Sequence, residues 1–552
     1  MESLLKITLP NGDVREVPYG TPVTELIRDF NVPEEKIFAI KLNNKVYSVE
    51  KHLKYNARIE PIVEGSKDGI LVYRRSLCFL LAAACHNKFP ASRLLVGHSL
   101  GSGYYYTVQT GQTISESDVK TLEEEMRSII SRNLPIKSCY VSYDEAVALV
   151  EKSGLKEART QLNFRCPPRI RINTLDGFSD LYFGPLVTNS GVLKVFELKK
   201  YKDGFLLRFP KGSDSSKVPE FVDQPKLFEI YNKYKTWGQR LGVTSVASLN
   251  ELIVNRKVND FIDITETLQE KCISDIADQI AERKTVRVVL IAGPSSSGKT
   301  TTSKKLALEL QAMGYVPKVI SLDCYYVDHT RTPRDADGNF DFECLEALDI
   351  ELLNSNLVDL FAGKEIIVPT YNFHDGTQLF EEKNRMSLKE NEILIMEGIH
   401  GLNDRLTPKI PSEYKFKIYL SALTQLNLDE HNRIPTSDNR LIRRIVRDYQ
   451  FRGKGAAGTI AMWPSVRRGE EMYIFPFQNN ADAILNTALD YELSVLKVYA
   501  EPLLLSVKPS EPEYSEACSL LRFLDSFNSI APTAVPPRSI IREFIGGSAF
   551  KY

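Results

Sequence analysis

"VRVVLIAGPSSSGKTTTSKKLALELQAMG", residues 286–314, decides the fold of the C-terminal part of this 552-residue chain. "VRVVLIA" is an apolar run suited to a strand buried on both faces. "GPSSSGKT" then sets glycine, four residues, glycine, lysine and threonine, and "TTTSKKLALELQAMG" reads as a helix. That helix would bury Leu306, Leu310 and Met313 and stop at Gly314. Strand, glycine-rich loop and helix are the setting in which such a loop wraps a chain of phosphates. Glycines let main-chain N–H groups converge on phosphate oxygens, and the helix N-terminus adds partial positive charge. Gly293, Pro294, Ser295, Ser296, Ser297, Gly298, Lys299, Thr300 and Thr301 are therefore the candidate triphosphate cradle. Lys299 would reach the β- and γ-phosphates, and the Thr300 hydroxyl would ligate Mg²⁺.

Two acids extend the site. "VPKVISLD" ends in Asp323 and "EILIMEG" brings Glu397, each after an apolar strand pattern. Ligands of open α/β sheets bind outside the carboxyl ends of the strands, so both acids would face the crevice of the phosphate loop. The alternative for either is a helix cap or a solvated loop acid. Further on, Arg440, Arg443, Arg444 and Arg447 recur at i, i+3, i+4 and i+7. Adjacent like charges repel by a few tenths of a kcal/mol per pair, so the stripe wants an anion opposite it. Triphosphate is one candidate and an acidic protein neighbour the other. Arg452 and Lys454 continue the cationic run, and "GKGAAG" supplies freedom for closure.

Composition narrows the class. Net charge is −1, with 43% hydrophobic and 26% charged residues, as in an ordinary soluble protein built from several domains. No global basic field argues for nucleic acid. No basic leader precedes an apolar core, and the apolar run "LCFLLAAAC" at 77–85 is far short of the roughly 20 residues that span a bilayer. The eight cysteines include no CxxC pair and the seven histidines no HxxxH, so we expect no zinc, no membrane and a cytoplasmic protein.

Ahead of the loop, "LLKITLPNGDVREVPYG" reads as two strands around an Asn-Gly turn, and "TPVTELIRDF" as a capped helix. "SDVKTLEEEMRSIISR" is amphipathic, with Val119, Leu122, Met126 and Ile129 or Ile130 as its apolar stripe. Leu268, Cys272 and Ile276 give residues 226–284 the pattern of a packed helical connection. The closing "IAPTAVPPRSIIREFIGGSAFKY" reads as an extended tail.

These stretches carry resemblances. Residues 1–64 resemble the TGS domain, a ubiquitin-like module of threonyl-tRNA synthetases and some GTPases. "YRRSLCFLLAAA", "GSGYYYTVQTGQTISESDVKTLEEEMRSIISRNLPI" and "SDLYFGPLVTNSG" follow the landmarks of the synthetase second additional domain, which deacylates mischarged tRNA; they place it at 65–225. Editing domains of this type use an HxxxH pair and a later CxGPH. Here those positions fall on Arg75 and Phe79, and on Tyr182 and Leu186. Such residues make no zinc site, so the resemblance implies an editing fold without the editing chemistry. An RNA or tRNA contact by this half is the partner it implies.

"GPSSSGKTT", "SLDCYYV", "GNFDF", "VPTYNF", "IMEGIHGLN" and "DNRLIRRIVRDYQFRGK" appear in the order of the uridine kinase and phosphoribulokinase family, over 285–505. The resemblance implies a mostly parallel sheet flanked by helices; residues 506–552 would follow it as a C-terminal helix and tail. It implies transfer of the γ-phosphate of ATP or GTP to the 5′-hydroxyl of a pyrimidine nucleoside, uridine or cytidine. Asp323 would activate that hydroxyl, and Asp323 and Glu397 would share Mg²⁺ with Thr300. Arg444 and Arg447 would act in transfer and Arg452 on ATP. Asp341, Tyr371, His374, Arg444 and Lys454 would hold the nucleoside. The family histidine five residues past the tyrosine is replaced by Gly376, which opens the choice of base. Two other outcomes stay open: a kinase for another sugar-bearing small molecule, and an RNA- or tRNA-binding regulator switched by nucleotide.

Overall fold

The computed structural model describes residues 4–109, 113–212, 214–335, 338–372 and 375–551. The chain forms two compact units that interleave in sequence. One comprises Met1–Arg256, Thr424–Pro435 and Glu501–Ser529; the other comprises Lys257–Leu423, Thr436–Ala500 and Ile530–Tyr552.

The first unit begins with a five-stranded sheet in the order Val14–Pro18, Leu4–Thr8, Ala57–Val63, Ile37–Leu42, Lys45–Tyr47. Leu4–Thr8 and Ala57–Val63 run parallel, and the other pairs are antiparallel. Leu4–Thr8 and Val14–Pro18 form the hairpin around the Asn-Gly turn. "TPVTELIRDF" departs from the expected helix. It makes two 3₁₀ turns, Val23–Glu25 and Ile27–Phe30, ending at Asn31 in a left-handed conformation. The reason is local: the Thr21 hydroxyl donates back to Pro18 O at 2.8 Å instead of accepting from the next turn, so no side chain caps a helix start. Val23, Leu26, Ile27 and Phe30 are buried all the same.

Helix Lys67–Lys88 follows, with Ser66 accepting from Gly69 N–H as its cap. By length and composition alone this helix could cross a membrane. Its apolar stretch is spent on a core: Leu77, Phe79, Leu80, Leu81, Ala83 and Ala84 are fully buried. A four-stranded antiparallel sheet, Glu197–Tyr201, Gly204–Arg208, Gly103–Gln109, Arg93–Leu100, and a three-stranded one, Phe178–Asp180, Ile170–Leu175, Lys137–Val141, complete the frame. Helix Glu116–Ser131 starts at a capping box of Ser115 and Asp118 and buries Val119, Leu122, Met126 and Ile129.

The second unit is organised by a five-stranded, all-parallel sheet. Its order is Val316–Ser321, Glu392–Glu397, Val288–Ala292, Lys415–Ser421, Ala483–Asn486. All five residues of Val288–Ala292 are buried, as a central strand covered on both faces requires. Helix Lys299–Ala312 buries Leu306 and Leu310, and Gly314 takes a φ of 92° beyond its end. Met313 does not join that face; it closes the helix as its C-cap and is 42% exposed. Helix Val258–Glu282 buries Cys272 and Ile276 of the expected face and leaves Leu268 half-buried. The C-terminal stretch is not an extended tail: it folds into turns and the short helix Arg542–Ile545, with Ile540, Ile541 and Phe544 fully buried.

Candidate active site

The loop between Val288–Ala292 and Lys299–Ala312 has the shape its glycines predict. A Cβ on Gly293 would lie 2.5 Å from the Leu420 carbonyl oxygen, so only glycine fits there. Gly298 has a φ of 81°, which glycine adopts without strain. Lys299 Nζ is folded back onto its own loop and donates to Gly293 O at 3.0 Å and Pro294 O at 3.3 Å.

Strand register brings the acids to this loop. Val288–Ala292 and Val316–Ser321 both pair with Glu392–Glu397, and Ser321 lies opposite Glu397. Both acids therefore stand at carboxyl ends of neighbouring parallel strands. The Thr300 hydroxyl donates to Glu397 Oε1 at 3.3 Å. Burial, then the nearby Asp323, push the Glu397 carboxyl up to about 7. Asp323 sits at an exposed position yet is ringed by protein. That surrounding mass raises its pKa, against the pull of Lys299, Arg452 and Arg447. The donor set fits Mg²⁺: a hydroxyl and two crowded carboxylates are hard oxygen ligands whose mutual repulsion a divalent cation relieves.

The arginine helix, Thr436–Arg452, divides its cations between two tasks. Arg440 forks onto Glu470, and Arg443 pairs with Glu492 at 2.5 Å, all four side chains being at most 2% exposed. The same two guanidinia donate to Ser295 O at 3.0 Å and Ser296 O at 3.2 Å, fastening the helix to the loop. For these two the anion opposite the stripe is protein. Arg444 donates to Ser295 Oγ at 2.8 Å and shares Asp448 with Arg447, which binds it at 2.8 Å. Arg452 is exposed and lies 3.8 Å from Asp448, while Lys454 N–H closes the turn onto Asp448 O at 3.1 Å.

The residues assigned to the acceptor join the segment after Asp323. Tyr326 donates to Phe342 O at 3.0 Å, and its ring lies 5.5 Å from that of Tyr371. Asp341 Oδ1 accepts from Glu343 N–H at 3.0 Å. His374 lies outside the described residues. Sequence reasoning passed over Glu343, Glu470, Glu492 and Glu543. Burial lifts the Glu343 carboxyl to about 7, with Glu470 adding to the rise and Arg444 and Lys299 opposing it. No local pattern marks these four glutamates; each gains its meaning from a partner distant in sequence.

In the first unit Arg75, Phe79, Tyr182 and Leu186 are taken up in packing. Arg75 donates to Pro185 O at 2.9 Å, and the Phe79 and Tyr182 rings meet edge-on at 5.2 Å. Leu186 is buried. Segment Thr424–Pro435 adds charge beside them. His431 Nδ1 bonds Asp180 at 2.7 Å and its ring packs on Phe178. Glu430 accepts from the N–H groups of Glu157 and Ala158 at 2.7 and 3.1 Å and pairs with Arg93. Among the described residues no group of three or more His, Cys, Asp or Glu could hold a metal ion.

The second unit thus has the fold of a P-loop kinase. Residues 288–494 match the family described as "Phosphoribulokinase / Uridine kinase family". A solved chain described as "Structure of a Possible Uridine Kinase from Bacillus stearothermophilus" aligns at 20% identity, 36% of this chain and 89% of that one, with a TM-score of 0.24. D-glycerate 3-kinase from Cryptococcus neoformans aligns at 11% identity, 46% and 87%, with a TM-score of 0.21. The N-terminal region is similar to other proteins. The threonine--tRNA ligase of Desulforamulus reducens is 30% identical over 218 residues, 39% of this chain and 34% of that protein. Threonine--tRNA ligase 1 of Bacillus subtilis is 31% identical over 201 residues, 36% and 31%. The chain spans about a third of the length of these curated relatives.

Proposed function

We propose that this protein transfers the γ-phosphate of ATP or GTP to the 5′-hydroxyl of a pyrimidine nucleoside, uridine or cytidine. The observation that carries this reading is the pair of strand-end carboxylates, Asp323 and Glu397, set beside the glycine-rich loop by parallel register. Loop N–H groups and Lys299 bind the triphosphate, Lys299 turning from Gly293 O and Pro294 O onto phosphate oxygens. Asp323 accepts the proton of the attacking hydroxyl. Arg444 and Arg447 face the charge that develops on the transferred group, with Arg452 on the nucleotide side. Asp341 and Tyr371 hold ribose and base, with His374 and Lys454 assigned to the same acceptor. Thr300, Glu397 and Asp323 would hold Mg²⁺, which neutralises phosphate charge when bound.

The purified full-length chain with ATP, Mg²⁺ and a panel of nucleosides and sugars tests this, read as phosphorylated product. Product from uridine or cytidine is expected. Product from a sugar alone would move the acceptor to the alternative class. ATP binding with no product from any acceptor would leave a nucleotide-switched regulator.

A second reading concerns the N-terminal half. Its identity to threonine--tRNA ligases and the mixed sheet with its parallel central pair support a TGS-like module followed by an editing-like domain. We read that domain as carrying no zinc and deacylating no tRNA, because side-chain packing fills the ligand positions. Stoichiometric zinc by elemental analysis, or hydrolysis of mischarged tRNA by the full chain, would overturn this.

A further inference from the structure

Ile530–Tyr552 belongs to the same unit as the phosphate loop. Its one carboxylate on the short helix Arg542–Ile545, Glu543, accepts two hydrogen bonds from Thr301. The backbone N–H donates at 3.1 Å and the hydroxyl at 2.6 Å. Thr301 lies in the first turn of the helix that follows the loop, two residues after Lys299, where P-loop N–H groups take phosphate oxygens. The contact is not incidental to a loose end. Ile540 packs so close to Gly298 that a Cβ there would lie 2.7 Å from its Cγ2. The Phe544 ring lies 5.0 Å from the Arg443 guanidinium, which itself donates to Ser296 O. Ile540, Ile541 and Phe544 are fully buried, so the segment is anchored in the core while Glu543 reaches the cradle.

An anion here has no use in the phosphotransfer derived above, which needs these donors for the nucleotide. Carboxylate and phosphate cannot share one N–H and one hydroxyl, and their charges repel. We propose that Glu543 is an internal competitor for the phosphate cradle, displaced when the triphosphate binds, and that it thereby sets nucleotide affinity. The buried isoleucines hold the backbone, so rotation of one side chain releases the donors. The apparent dissociation constant is then the intrinsic one divided by the fraction of chains with Glu543 withdrawn. This rests on residues 293–301 being the triphosphate site.

Equilibrium binding of ATP and of adenosine to the full-length wild type, Glu543→Ala and Glu543→Gln tests the proposal. Lys299→Ala serves as the control for the site itself. Glu543→Ala should bind ATP about tenfold more tightly, the scale of a charged hydrogen-bonded competitor removed, with adenosine affinity unchanged. Glu543→Gln keeps an acceptor for Thr301 but loses the charge, so it should show a smaller gain in the same direction. It carries the test if the alanine variant fails to fold. ATP affinity unchanged or weakened in both variants would overturn the proposal and leave Glu543 a helix cap or a nucleotide contact. If Lys299→Ala leaves ATP affinity intact while the Glu543 variants also change nothing, the site reading falls with it. A loss in Lys299→Ala beside unchanged Glu543 variants sinks the competitor alone.

Discussion

In the unit built on Val288–Ala292, buried arginines meet buried glutamates, and other charges beside them have no such counter-ion clamp. Arg440 and Arg443 are locked onto Glu470 and Glu492, whereas Lys299 bonds the main-chain carbonyls of Gly293 and Pro294 and Asp323 stands open to solvent. In the unit built on Lys67–Lys88, the buried acids Asp180, Asp429 and Glu430 each have a hydrogen-bonding partner within the protein. Asp180 holds His431, Asp429 accepts from Asn432, and Glu430 is taken up by two N–H groups and Arg93. An exposed carboxylate can take a partner from solution, whereas acids already bonded within the protein hold its parts together. Exposure of a charge beside a frame of satisfied ones is thus the better mark of function than charge itself.

The largest expected effect comes from breaking the frame. Glu470→Ala leaves Arg440 buried without its partner and should lower stability by ~3–5 kcal/mol, read by denaturant unfolding. A loss below about 1 kcal/mol would mean the pair is not the clamp its burial implies. Next is the open charge. Asp323→Asn should leave unfolding midpoints in place and keep ATP binding, but cut turnover by about 10²-fold or more. Unchanged turnover would remove Asp323 from the chemistry and erase the contrast with Glu470.

A smaller effect lies in the other unit. Burial, then Asp180 and Glu430, lift Asp429 from an ordinary 3.8 to about 8, and Asp180 raises His431 against the burial that would lower it. More negative charge gathers there than the interior holds, so the folded chain keeps a proton that the unfolded chain releases. The associated stability is full below pH 4 and is lost as pH rises through about 8. Asp429→Asn should flatten that decline between pH 5 and 8 in thermal unfolding, since the amide oxygen still accepts from His431 and Asn432. A slope unchanged by the substitution would show that the proton is held elsewhere.

Much of this was legible in the chain because it depends on neighbours in sequence. The glycine spacing, the buried strand before it and the stripe Val119, Leu122, Met126, Ile129 are local patterns, and the structure follows them. What stayed hidden depends on distance. "TPVTELIRDF" has a cap residue and a proline in the right places, but Thr21 bonds backward to Pro18. Four arginines in helical register announce an anion without saying whether it is ligand or protein; Glu470 and Glu492 lie 30 and 49 residues from the arginines they hold. The C-terminal segment is rich in proline and glycine, which read as loop, while its buried Ile540, Ile541 and Phe544 span barely one helical turn, too short a pattern to announce a packed element.

The excursion of Thr424–Pro435 carries a consequence for how the protein is made. The chain leaves the parallel sheet at Ser421, contributes His431, Asp429 and Glu430 to the other unit, and resumes at Thr436 as the arginine helix. A ribosome that has released residue 256 has therefore not yet supplied the parts that complete the first unit; those arrive at 424–435 and again at 501–529. The N-terminal half must wait, its acid-binding N–H groups at Glu157 and Ala158 unoccupied, until most of the second unit has emerged. Maturation of the two is thereby tied to one event late in synthesis, and a chain cut short before residue 529 would leave both unfinished.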